Sequence, residues 1–256
     1  SVYTRKYQIV NYTWCLFSAN IADSIGMISC ESTMLMINTF TQFQNNRAWS
    51  GSAVYAFTVS YILFKNCNFT FGTTIRQGTI YLFSISRTEI MTCMFCHNHM
   101  TYKSGETSGI FGKDGSRLIV RKSIFKNSTG KSGGGIYVAN YKQVSVVQTS
   151  FVFNSVTNYG GAIVVNNDGV ARLDQVIIKN SYFYHNKGKD GGATVISETK
   201  TTVIAHCYFL KNFAENAGAL LLKAIGQLEL AHCKLNRNYA SKGGVLSLIE
   251  SHALHI

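Results

Sequence analysis

The sequence predicts an all-β fold, a parallel β-helix solenoid of about nine coils with roughly 26 residues and three short strands in each. Three observations carry that prediction. An apolar anchor recurs at Phe17, Phe43, Phe69, Phe95, Phe125, Phe151, Phe183, Phe209 and Leu235, spaced 26, 26, 26, 30, 26, 32, 26 and 26 residues apart. Three residues after most anchors stands an Asn, and a glycine-centred triplet follows it. Between these marks apolar residues alternate with period two, the pattern of strands. A period of this size means that each repeat buries its apolar face only by stacking on its neighbours. Helical repeats would need apolar spacings of three and four, and Gly-Gly pairs with β-branched runs do not supply them.

Each element of the coil follows in order. Five residues before the anchor stands an apolar column (Phe64, Ile90, Val120, Val146, Ile178, Ile204, Leu230). Three before it is a polar column (Asn66, Thr92, Lys122, Gln148, Asn180, His206, His232) that marks an outward bend. Two before it lie small residues (Cys15, Thr41, Cys67, Cys93, Ser123, Thr149, Ser181, Cys207, Cys233), which fit a tight interior by volume. The anchors themselves predict a ladder of stacked rings that sets the register between coils. Asn20, Asn46, Asn98, Asn154, Asn186, Asn212 and Asn238 predict an amide ladder beside it, with Gly72 and Ser128 in the same column. Glycines such as Gly133, Gly160 and Gly191 supply a corner, and alternate residues after them (Val54 and Ala56, Ile80 and Leu82, Ile136 and Val138, Ile163 and Val165, Leu220 and Leu222) point inward. With about 4.8 Å between paired strands, nine coils make a rod roughly 43 Å long.

The pairing of Phe-x-x-Asn (Phe17 to Asn20, Phe95 to Asn98, Phe183 to Asn186, Phe209 to Asn212) with Gly-Gly-Ala-Ile (Gly160 to Ile163) resembles the repeats of the chlamydial polymorphic membrane proteins. Related repeats occur in large surface proteins of protists. The resemblance covers the whole chain and implies the right-handed, pectin-lyase-like β-helix. That scaffold hosts adhesins, fibres, surface proteins and polysaccharide-cleaving enzymes, so function has to come from sites.

Residues 1–256 read as a single domain and as a segment of a longer chain, since the pattern begins in mid-repeat and no polar cap closes it. No apolar window is long enough for a membrane-spanning helix. Pro is absent, which suits strands that all donate to ladders. The net charge of +12 would draw acidic polysaccharide, anionic membrane or nucleic acid, and it also keeps an edge-rich rod soluble. No aromatic platform is interleaved with the basic residues, so specific nucleic-acid binding is not expected.

Candidate sites are few. Cys67 with Cys93, and Cys207 with Cys233, lie one coil apart in one column, within reach of a disulfide. Cys93 to His97 spells Cys-x-x-Cys-His, a haem attachment string, but the repeat already accounts for Cys93 and Phe95. No cofactor is therefore expected. Cys96, His97 and His99 are retained as metal candidates beside the plainer reading of an exposed thiol and two solvated imidazoles. His206 and His232 should bring their rings within about 5 Å. Sequons occur at Asn11, Asn68 and Asn127, with Asn68 expected to point outward. Two enlarged coils offer contact loops, one with Tyr102 and Lys103 and one with Arg172.

Polysaccharide hydrolases need paired carboxylates across a groove. The five Asp (Asp23, Asp114, Asp168, Asp174, Asp190) share no column on adjacent coils, so no catalytic residue is expected. The reading that follows is a non-enzymatic, extracellular or surface-displayed stalk, fibre or scaffold whose partners are neighbouring domains, further copies of itself or acidic glycans. The alternatives are a carbohydrate-binding or carbohydrate-cleaving module and an intracellular scaffold subunit.

Overall fold

The structure, a computed structural model, describes residues 1–101, 106–167, 173–250 and 254–255. Among them there is no helix, and parallel strands stack coil upon coil. The anchor strands form one nine-stranded sheet, from Leu16–Ser18 at one end to Lys234–Asn236 at the other, with every anchor in register with the next. Their rings stack face to face, with centroids 4.5–5.1 Å apart from Phe17 to Phe209. Alternation explains the geometry: in a three-residue strand only the central side chain faces the core, so one ring per coil enters the stack. Burying each ring contributes on the order of 1.5–3 kcal/mol.

The path around one coil has four segments rather than the expected three strands. After the anchor strand (Asn68–Thr70) come a corner strand (Thr73–Gln77), a glycine turn, and two further strands (Ile80–Phe83 and Arg87–Met91). Single residues in the left-handed region make most of the corners. They form three columns: two residues after the anchor (Phe71, His97, Asn127), three before it (Asn66, Thr92, Lys122), and between the last two strands (Thr58, Ser84, Asp114). The last column is the bend that sequence periodicity does not reveal. It folds one apolar stretch into two faces without changing its alternation. Where Thr194–Ala205 and Leu220–Ala231 run through this bend, the two faces join into an 18-stranded sheet.

A non-glycine residue in the left-handed region costs roughly 1–2 kcal/mol. The stacked coils offset that cost, because the corner amide donates along the axis. Asn66 N–H binds the Met91 carbonyl at 3.0 Å, Thr92 that of Arg121 at 3.0 Å, and Phe71 that of Cys96 at 3.0 Å. The fourth corner favours glycine for two distinct reasons, although Ala217 takes the left-handed position at φ +54° in a later coil. Gly160 has φ +55°, and a Cβ on Gly161 would lie 2.3 Å from the Gly192 carbonyl oxygen of the next coil.

The core is continuous from Ile28 to Leu230. Asn38 is an exception inside it. It occupies the column filled by Tyr12 and Phe64 in the flanking coils, is fully buried, and has no hydrogen-bond partner for its side-chain amide. An unsatisfied buried amide is destabilising, so Asn38→Val is expected to raise stability by about 1–2 kcal/mol. Thermal unfolding of the variant checks this, and a lowered Tm would show that the amide has a partner.

Candidate functional site

The small-residue column two before each anchor is a hydrogen-bonding column. Each of its nine side chains donates to the carbonyl two residues earlier, across the left-handed corner. Examples are Cys67 Sγ to Lys65 (3.4 Å), Cys93 Sγ to Met91 (3.3 Å), Ser123 Oγ to Arg121 (2.8 Å), Thr149 Oγ1 to Val147 (3.0 Å) and Cys207 Sγ to Ala205 (3.3 Å). The same bond is made at Cys15, Thr41, Ser181 and Cys233. Volume alone is therefore an incomplete account: Ser, Thr and Cys interchange because each carries a short donor.

All seven cysteines are free thiols. Cys67 with Cys93, and Cys207 with Cys233, adjoin one another in the column, with the Cys93 sulfur accepting the Cys67 backbone amide at 3.4 Å. Burial pushes the Cys93 thiol up. The interaction between the adjoining thiols raises Cys207 and lowers half-buried Cys233 to about 7.

The Asn ladder spans three coils at each rung. The Asn186 amide donates back to the Phe151 carbonyl (2.9 Å) and forward to Asn212 Oδ1 (3.1 Å), while its oxygen accepts from Asn154 Nδ2 (3.0 Å) and N (3.2 Å). Asn212 and Asn238 continue the pattern, Asn20 pairs with Asn46, and the run pauses at Gly72 and Ser128.

The metal candidates do not converge. Cys96 is buried, not exposed, lying in register between Thr70 and Lys126, and burial raises its thiol. His97 is a left-handed corner whose ring stacks on Phe71 at 5.0 Å, and His99 hydrogen-bonds Thr129. Among the described residues no group of three or more His, Cys, Asp or Glu could hold a metal ion. His206 and His232 stack at 4.8 Å, as their column requires. Of the sequons, Asn11 is exposed, whereas Asn68 is half-buried between Gln42 and Met94 in its ladder and Asn127 is a half-buried corner. Tyr102, Lys103 and Arg172 lie outside the described residues. The carboxylates stand singly beside other partners. Asp114 accepts from Asn140 (2.8 Å) and Asp190 from Asn216 (2.7 Å), while Lys200 at 2.7 Å holds Asp174 below the usual carboxylate range.

On the outer surface, Tyr55, Tyr81, Phe111 and Tyr137 stack in sequence at 4.6, 5.4 and 5.5 Å. Burial pushes the Tyr81 phenol up to about 12. Their faces are covered by one another, leaving edges for solvent.

A concavity lies elsewhere, on the corner sheet. Its first strands are four or five residues long (Ile21–Ile25, Arg47–Ser50, Thr73–Gln77), and the next shrink to two (His99–Met100, Thr129–Gly130, Ser155–Val156). Beyond them isolated bridges through Lys187 and Asp190 carry the ladder to the four-residue strand Phe213–Asn216, which pairs with Tyr239–Lys242. Gly130 and Gly188 take inward positions there, in the column that holds Met100 and Val156 in other coils. The groove has a volume of about 870 Å³ and crosses five coils; Lys131, Lys187 and Lys189 line it together with Glu215 and the hydroxyls of Thr129 and Thr157. In the sequence these lysines enter only as part of the net charge of +12. The signal available was their shared offset from the anchors, six residues for Lys131 and Lys189 and four for Lys187.

The continuous ladders define a parallel β-solenoid repeat protein. No family model matches the sequence, and no solved structure matches it. Among curated proteins, the metabotropic glutamate receptor-like protein R of Dictyostelium discoideum is 30% identical over 128 residues, a stretch that covers 49% of this chain and 8% of that protein. The likeness to chlamydial repeats thus stays one of motif. No helix among the described residues is long and apolar enough to cross a membrane.

Proposed function

We propose that this chain is a non-enzymatic structural segment, a rigid stalk that spaces or presents neighbouring domains on the outside of a cell. The observation that supports it most is the anchor ladder, whose rings stack without a break from Phe17 to Phe209. Such a column resists bending because every coil is tied to the next by rings, amides and backbone hydrogen bonds at once. The name of the matched protein is receptor-like, and an extracellular stalk is a role that a solenoid segment would fill in a protein of that kind. The exposed sequon at Asn11 supports the same placement.

Two measurements test this reading. Small-angle scattering of the isolated chain is expected to give a rod about 43 Å long, and a compact or flexible particle would overturn the stalk. Intact mass of protein from its native source, before and after deglycosylation, is expected to show glycan at Asn11. An unmodified chain would overturn the extracellular placement and favour an intracellular scaffold.

A further inference from the structure

We propose that the groove on the corner sheet binds an extended anionic polysaccharide through Lys131, Lys187 and Lys189. Across its five grooved coils one outer column runs in register through His99, Thr129, Ser155, Lys187 and Phe213, and Thr101, Lys131, Thr157, Lys189 and Glu215 line the groove beside it. A face with only a spacing role has no need of a trough, yet here the strands shorten to two residues and a groove of about 870 Å³ opens across five coils. Three ammonium groups then meet a single lining carboxylate, Glu215.

The lysines are positioned in different ways. Lys187 lies over the Phe213 ring at 5.5 Å, and Lys131 sits 4.0 Å from Glu106, a loose pair in which the charge stays available. Lys187 and Lys189 are exposed.

The dimensions select the ligand. The five coils of the groove span four rises, about 19 Å, and within it Lys131 stands two coils, about 10 Å, from the neighbouring pair Lys187 and Lys189. An extended polymer carrying carboxylate or sulfate groups fits that trough, and the serine and threonine hydroxyls of the coil between the lysines supply donors and acceptors for its hydroxyls. A membrane surface is flat and would not enter the trough. Single-stranded nucleic acid binds by stacking its bases on free aromatic faces, whereas Phe213 has Tyr239 at 5.1 Å on one side and Lys187 on the other. The inference extends the stalk reading, since polysaccharide is met outside the cell, but its test in vitro does not depend on where the chain resides.

The experiment compares three proteins: the parent chain, the triple variant Lys131→Gln, Lys187→Gln, Lys189→Gln, and a control with Lys65→Gln, Lys122→Gln, Lys179→Gln, which removes the same charge from other faces. Binding is measured to heparin, polygalacturonate, neutral dextran, oligo-dT and phosphatidylserine vesicles. Heparin and polygalacturonate arms separate sulfate from carboxylate recognition. The groove variant is expected to lose about tenfold or more in affinity for one or both, with the control within about twofold and dextran unbound. Equal losses in both variants would reduce the effect to net charge and overturn the proposal. So would an unchanged groove variant, no binding to either glycan, or tighter binding of oligo-dT or vesicles than of either glycan.

Discussion

Tyr141→Ala is expected to destabilise the protein by about 3–5 kcal/mol, among the largest effects of any single truncation here. Tyr141 is fully buried, and its ring occupies space vacated by two glycines of the preceding coil. Gly112 stands in the column of Leu82 and Val138, and Gly115 precedes the strand beginning at Arg117. A Cβ on Gly115 would lie 2.4 Å from Tyr141 Cζ, and one on Gly112 2.7 Å from its hydroxyl oxygen. Truncation would leave a ring-sized cavity that stacked, hydrogen-bonded coils cannot collapse around. The hydroxyl, in contrast, is buried without a partner. Tyr141→Phe is therefore expected to be neutral or to stabilise by up to about 1 kcal/mol. The two glycines supply the decisive check. Gly115→Ala should destabilise the parent chain and be tolerated in the Tyr141→Ala background, and a cycle of denaturant melts reads the coupling. Additive effects would mean that the ring does not fill the space left by Gly115.

The second large effect is expected at Asn186. Replacement by Leu, which keeps comparable bulk and abolishes hydrogen bonding, removes a donor from the Phe151 carbonyl and the acceptor of both the Asn154 backbone N–H and one of its side-chain N–H groups in a dry interior. At about 1–3 kcal/mol for each group so deprived, the loss should reach on the order of 4 kcal/mol. Asn20, half-buried in the first coil and donating forward only to Asn46, provides the comparison. Asn20→Leu should cost about 1 kcal/mol or less. Equal costs at the two positions, measured by chemical denaturation, would show that the ladder acts through local turn conformation rather than between coils.

The contrast between these two sites shows how much the sequence disclosed. Asn186 was legible because it belongs to a column: a polar residue recurring at a fixed offset from a buried ring, next to glycines, can be satisfied only by its own equivalents. Tyr141 was not legible, because it compensates for a departure from the repeat. Gly112 and Gly115 look like ordinary turn residues until the next coil is laid upon them. Asn38 escaped for a related reason, since one polar residue in an apolar column carries no mark of whether it is paired. The cysteine column was half read. Its volumes are visible in the sequence, and so, with hindsight, is its lack of Ala and Gly, which points to a donor requirement at the corner carbonyl.

Of the candidate sites, Cys96, His97 and His99 adjoin in sequence and diverge in space, because strand alternation and a left-handed corner send neighbouring side chains to different surroundings. Lys131, Lys187 and Lys189 are distant in sequence and line one trough, because the corner strands keep pairing from coil to coil although two coils are four and six residues longer than the rest.

The sequence by itself determined the period, the ladders and the parallel stacking, since a 26-residue repeat too short to bury its own apolar face has no other way to cover it. Only the tertiary structure decided the fourth segment of each coil, the filling of the Gly115 space by Tyr141 and the groove. Each of these depends on what one coil places against another, and a left-handed corner, a missing side chain or a shortened strand leaves no periodic trace in the chain that produces it.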